Sequence, residues 1–158
     1  MRKTAKALGL AALLSAGTIV INPAPVLAAA YTPEAACAKQ SGYGGWTHVN
    51  DNRRTLKNGS SVWGYVYLMW NHSHLTNCVT VIKTAYAGTP TYTQAILKLQ
   101  GGGAYRDPGT LTAKKYKYFA AAIGYGKKQC VDFEGITTDT RRDYGIASAK
   151  RGRFANCG

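Results

Sequence analysis

Residues 61–70 read Ser-Val-Trp-Gly-Tyr-Val-Tyr-Leu-Met-Trp, a nearly unbroken run of aromatic and aliphatic side chains. Such a run marks a strand buried on both faces. Asn71-His72-Ser73-His74 interrupts it, and Cys78-Val79-Thr80-Val81-Ile82-Lys83-Thr84 begins a second β-branched segment. The two segments read as a hairpin with a loop of several residues.

Downstream, Ala87-Gly88-Thr89-Pro90 is a turn, and residues 91–99 alternate. Ala95, Leu97 and Leu99 fall on one face, with Gln94, Ile96 and Lys98 on the other. Gly101-Gly102-Gly103 and Asp107-Pro108-Gly109 bracket a loop. Residues 113–123 carry Ala and Lys, which favour helix, and a Lys115-Tyr116-Lys117-Tyr118 alternation, which favours strand. Strand neighbours decide it as strand, ended by Gly124-Tyr125-Gly126. Gln129-Cys130-Val131-Asp132-Phe133 is another short strand, and residues 143–155 supply one or two more. Alternation puts Asp132 on the face of Cys130, so Asp132 sits near a strand end or pairs with a base. Upstream, residues 31–60 are rich in Gly and Asn, with one strand expected near Thr47–Asn50 and a loosely ordered segment before Cys37. Short strands between turn signals define an all-β domain, a small disulfide-stabilised sandwich or barrel over residues 31–158. Val62, Tyr65, Tyr67, Leu68, Val79, Val81, Leu97, Phe119 and Val131 are the expected core.

The N-terminus has the ordered parts of a secretory signal. Arg2, Lys3 and Lys6 precede an apolar stretch from Ala7 to about Ile21. Asn22, Pro23 and Pro25 follow, and small residues place cleavage after Ala28 or Ala30. The stretch falls short of the roughly 20 apolar residues of a membrane span. The whole chain has 20 Lys and Arg against 7 Asp and Glu. Three of the bases leave with the signal, so the secreted domain keeps a charge of about +10 and is drawn to polyanions. Cys37, Cys78, Cys130 and Cys157 read as two disulfides in an oxidising compartment. Three connectivities are open. Cys37–Cys157 with Cys78–Cys130 is favoured, because cross-links over long loops remove the most entropy from the unfolded chain.

Catalytic fingerprints are absent. There is no G-x-S-x-G, no Walker loop and no spare cysteine. His72 and His74 flank Ser73 in the hairpin loop, with no acid beside them and His48 far away, so they read as exposed loop residues. No metal or cofactor is expected. An acid–base pair would have to be assembled from His72, His74, Asp132 and Glu134, and their spacing does not indicate one. Basic residues interleaved with aromatics are the main functional feature. Lys114, Lys115, Tyr116, Lys117 and Tyr118 form one run, and Arg141 and Arg142 form a second patch. Tyrosines can stack on rings while lysines neutralise anions; otherwise the tyrosines pack inward and the lysines are merely solvated.

Several segments together are similar to a known family. They are Cys37 followed by Ser41-Gly42-Tyr43-Gly44, the aromatic strand Val66–Asn71, the segment Asn77–Ile82, the Gln129–Phe133 segment and the terminal Asn156-Cys157-Gly158. In this order they resemble the spore-associated protein A family of filamentous actinobacteria, from about residue 35 to the end. The resemblance implies a small secreted protein of the spore or cell surface and carries over no catalytic residue. The chain departs from that pattern in its wealth of Lys and Arg, its His-x-His and a longer segment after Cys37. The expectation is a secreted, non-enzymatic surface protein whose partners are anionic envelope polymers or other secreted proteins, ahead of nucleic acid. The alternatives are a basic secreted hydrolase or antibacterial effector, or a subunit of a larger secreted assembly.

Overall fold

The computed structural model describes residues 31–109, 114–141 and 145–157, so the expected signal over 1–30 and Arg142 lie outside the described residues. Helix α1 (Pro33–Ser41) is followed by β1 (Trp46–Asn58), β2 (Ser61–Asn71), β3 (Thr76–Lys83), β4 (Thr91–Leu99) and β5 (Ala104–Asp107). Then come β6 (Lys115–Tyr116), β7 (Phe119–Tyr125), β8 (Val131–Thr138) and β9 (Ile146–Lys150). The strands pair antiparallel in the order β5-β4-β8-β9-β1-β2-β3-β7, with β6 added to β4. The all-β class holds, and the sheet curls into a nearly closed barrel.

The expected hairpin is β2–β3, with Leu68 opposite Val79 and Val66 opposite Val81. These residues point into the barrel, where they meet Leu56, Ala95, Leu97, Ala120, Ala122, Val131, Phe133 and Ala147. The interior is narrow. A Cβ on Gly135 of β8 would lie 2.7 Å from atoms of both Val66 and Val81, so only glycine fits there.

The end strands β5 and β7 face each other across a seam that side chains close. Asp107 accepts the Ala121 backbone N–H at 3.0 Å. Its other oxygen accepts the Tyr116 hydroxyl, and the Tyr105 ring lies against Gly124 where a side chain would otherwise be.

A second core lies outside the barrel, under α1. Cys37, Trp46, Met69, Cys78 and Ala121 are buried there, with Tyr67, Phe119 and Ile123 at its margin. The helix replaces the loose segment expected before Cys37, and its signals are local. Thr32 caps it by accepting the Ala35 N–H, Pro33 opens it, and Gly42 ends it in a left-handed conformation. β1 also runs well beyond Thr47–Asn50. Its outer face meets solvent, which lets a strand carry Asn, Asp, Arg and Lys.

Three expectations are corrected. The disulfides are Cys37–Cys78 and Cys130–Cys157, not the long-range pairs. Reach decides bonding, and α1 sets Cys37 on the outer face of β3 while Ala155 bridges to Val131 beside Cys130. Val62 is 41% exposed, because β2 begins at the barrel rim. Tyr65, Tyr67 and Phe119 are half-buried on the outer surface, whereas Leu68, Val79, Val81, Leu97 and Val131 are fully buried as expected. Residues 113–123 do supply strands, β6 and β7, and residues 143–155 supply β9.

Replacing Gly135 with Ala should lower stability by about 1–3 kcal/mol through overpacking. Gly44→Ala, whose Cβ meets nothing within 4 Å, should change it by less than about 0.5 kcal/mol. Urea unfolding of both variants checks the pair; equal stabilities would contradict the narrow interior.

Candidate functional site

The Lys114–Tyr118 run divides its residues by role. Lys114, Lys115 and Lys117 are exposed, Tyr116 packs against the barrel core, and Tyr118 is half-buried. The Lys114 ammonium lies 4.9 Å over the Tyr116 ring, whose hydroxyl is spent on Asp107. Burial, then that hydrogen bond, push the Tyr116 pKa well above its ordinary value. The Tyr118 ring sits 5.9 Å from that of Tyr31. Lysines therefore reach solvent here beside one ring committed to the core and one, Tyr118, that is half-buried. Arg141 pairs with Asp139 across one loop.

Every acid in the described residues is engaged. Glu34 meets His48 at 2.6 Å, Glu134 meets Lys98 at 2.6 Å, and Asp51 holds both Arg54 and Arg153 at 2.7 Å. Those two guanidinium groups hold the Asp51 carboxyl well below its usual range. Asp132 sits at the start of β8 and faces a base, the two arrangements its position allowed. It accepts the Phe133 and Gly152 N–H groups and lies 3.7 Å from the buried Arg151. Lys39, Arg53, Lys57, Arg106, Lys115, Lys117, Lys127, Lys128 and Lys150 are all exposed and form no ion pair among the described residues.

Two of the three histidines, His48 and His74, are also committed. His74 stacks on Tyr43 with centroids 3.7 Å apart, and its ring nitrogen lies 3.0 Å from Asn71 Oδ1. His72 is exposed in the β2–β3 turn. His48 has Glu34 at one ring nitrogen and Asn52 at the other, a Glu–His pair that a separation of 14 residues concealed in the sequence. No group of three or more metal-ligating side chains occurs among the described residues. No helix there is long and apolar enough to cross a membrane.

Lys83 is the residue that sequence reading passed over. Alternation along β3 turns it inward with Val79 and Val81, and it is 2% exposed. Its ammonium donates to the Thr89 carbonyl at 2.7 Å and the Tyr116 carbonyl at 3.0 Å, joining the β3–β4 loop to β6 at one barrel end. Desolvation lowers its pKa to about 8.

Two surfaces could receive a ligand. A cleft of about 350 Å³ lies at the seam, between Gln40, Ser41 and Tyr43 at the end of α1, Tyr105–Asp107 of β5 and residues 121–123 of β7. The other is the outer face of β9, β1 and β2. Arg53 is paired with Tyr67 and Thr55 with Tyr65, while Lys57 lies between Val62 and Ser148. The Arg53 guanidinium is 5.3 Å from the Tyr65 ring centre, and the Tyr65 and Tyr67 rings are 6.2 Å apart. Lys150 and the 54%-exposed Ile146 flank Ser148 on the same side of β9. Cations and half-exposed aromatic rings thus meet on a face assembled from three strands, and no single stretch of sequence contains it.

Compared with protein-family models, curated proteins and solved structures, the chain matches none.

Lys83 predicts a pH signature. Its folded pKa lies below the unfolded value of about 10.4, so between about pH 8 and 10 the unfolded chain binds more protons and stability rises with pH. The rise should be on the order of 2 kcal/mol. It should vanish in Lys83→Met, while Tyr92 and Tyr116, whose raised pKa values remove stability above about pH 10, act alike in both proteins. Denaturant unfolding across this window gives the difference directly; parallel curves would contradict a desolvated amine.

Proposed function

We propose that this chain is an exported, non-enzymatic protein of the cell or spore surface, retained there by anionic envelope polymer. One observation carries the reading. The described acids are all spent within the fold, which leaves exposed cations such as Lys39, Arg53, Lys57, Arg106, Lys127 and Lys150 without an acidic partner among the described residues. A rigid surface of unpaired cations attracts a polyanion over a Debye length and holds it by releasing the polymer's counterions. The leader-like N-terminus, the paired cysteines and the sequence resemblance support the location. Two disulfides in a small domain suit an oxidising, protease-exposed setting.

Retention on purified cell walls or spores should fall steadily as salt rises from about 0.05 to about 1 M. Replacing Lys114, Lys115 and Lys117 together by Gln should shift the midpoint of release to lower salt. Salt-independent retention, or none at low salt, would overturn the proposal.

A further inference from the structure

The geometry points to the outer face of β9, β1 and β2 as a binding site for an anionic polysaccharide, a chain of sugar rings bearing carboxylates. This inference rests on the envelope-binding reading and gives it a place and a ligand chemistry.

Charge alone does not select this face, because Lys115, Lys117, Lys127 and Lys128 are equally exposed. What sets it apart is the lattice of side chains that β-pairing creates. Tyr65 and Tyr67 project two residues apart on β2, with ring centres 6.2 Å apart and planes tilted by 49°. Both rings are half-exposed, Tyr65 beneath Arg53 and Tyr67 with His48 at its edge, so they present two partial apolar surfaces along a polymer rather than one slot for a single flat base. Across the strand pair, Arg53 stands opposite Tyr67 and stacks at 5.3 Å on Tyr65. Its planar fork suits a carboxylate, and no acid among the described residues claims it. Lys57 and Lys150 add positive charge on either side of Ser148, whose hydroxyl, with that of Thr55, can bond sugar hydroxyls. Val62 and Ile146, 41% and 54% exposed, extend an apolar rim that suits the C–H face of a pyranose. Sugar chains combine these needs: ring stacking, hydroxyl bonding and anionic charge. A polyol or inorganic phosphate chain would use the cations and leave the tyrosines idle. The disulfides favour glycan over nucleic acid, since they suit a compartment outside the cytosol.

The test is binding of a uronic-acid oligosaccharide to the exported protein, followed by NMR and calorimetry, beside linear polyphosphate and a single-stranded oligonucleotide of similar charge. The expected amide shifts cluster at residues 53–57, 65–67 and 146–150. Tyr65→Ala with Tyr67→Ala should weaken the oligosaccharide about tenfold or more and leave polyphosphate nearly unchanged, whereas the double Phe variant should bind like the parent. If the Ala variant does not fold, the shift map and an Arg53→Lys variant decide, the latter losing the planar fork but not the charge and binding several-fold more weakly. Shifts confined to residues 114–118 or 127–128, equal binding by the Ala variant, or tighter binding of the oligonucleotide would overturn the site. Walls that retain the protein while the oligosaccharide does not bind would sink this inference alone. Oligosaccharide bound on this face without retention on walls would sink the envelope reading instead.

Discussion

The Asp107 carboxylate is the join on which the barrel depends. Eight strands laid edge to edge end in β5 and β7, and backbone pairing does not unite them. One oxygen of Asp107 takes the Ala121 N–H and the other takes the Tyr116 hydroxyl. A single side chain thus substitutes for a missing ladder and fastens β6 to the same point. An unpaired edge strand is both a lost set of hydrogen bonds and a template for aggregation. Tyr105 completes the seam by lying where Gly124 has no side chain. Lys83 reinforces the barrel end, where its ammonium links the Thr89 and Tyr116 carbonyls beside the short β4–β6 pairing.

The strands were legible because their signals are local. The β2–β3 hairpin follows from two β-branched runs around Asn71–His74, and β4 follows from strict alternation in which Ala95 and Leu97 do face the core. What was not legible is which of two faces lies inside. Tyr65 and Tyr67 sit in a nearly unbroken aromatic and aliphatic run yet project outward, because Val66 and Leu68 take the interior positions of β2. Tyr116 sits among lysines yet packs against the core, where Asp107, from β5, accepts its hydroxyl. A one-residue change of face exchanges the two assignments. The cysteines mislead for a related reason: loop entropy ranks possible cross-links, but the docking of α1 decides which sulfurs can meet. Helix α1 itself was readable from Thr32, Pro33 and Gly42, and the Gly- and Asn-rich surroundings hid it.

The binding face could not be read because it does not exist in one dimension. Arg53 and Lys57 come from β1, Tyr65 and Tyr67 from β2, and Lys150 from β9. Antiparallel pairing places them side by side. The unspent charge has the same origin. Sequence shows an excess of bases, but only the fold shows that Asp51, Asp132, Glu134 and Asp139 are each answered by a particular base, so that the excess is local and outward. Acids here stabilise the barrel, and most of the bases are left for other work.

The pairing of β9 with β1 orders events in time as well as in space. Strand β1 cannot acquire that neighbour until almost the whole chain is present. α1, β1, β2 and β3 are consecutive, however, and Cys37–Cys78 bonds within them. Once oxidised, that pair staples α1 to the β2–β3 hairpin without involving the later strands. Chains that close a sheet between their ends are slow to find that long-range contact. Here the edge of β1 on which β9 docks belongs to a run of consecutive elements, β1 to β3.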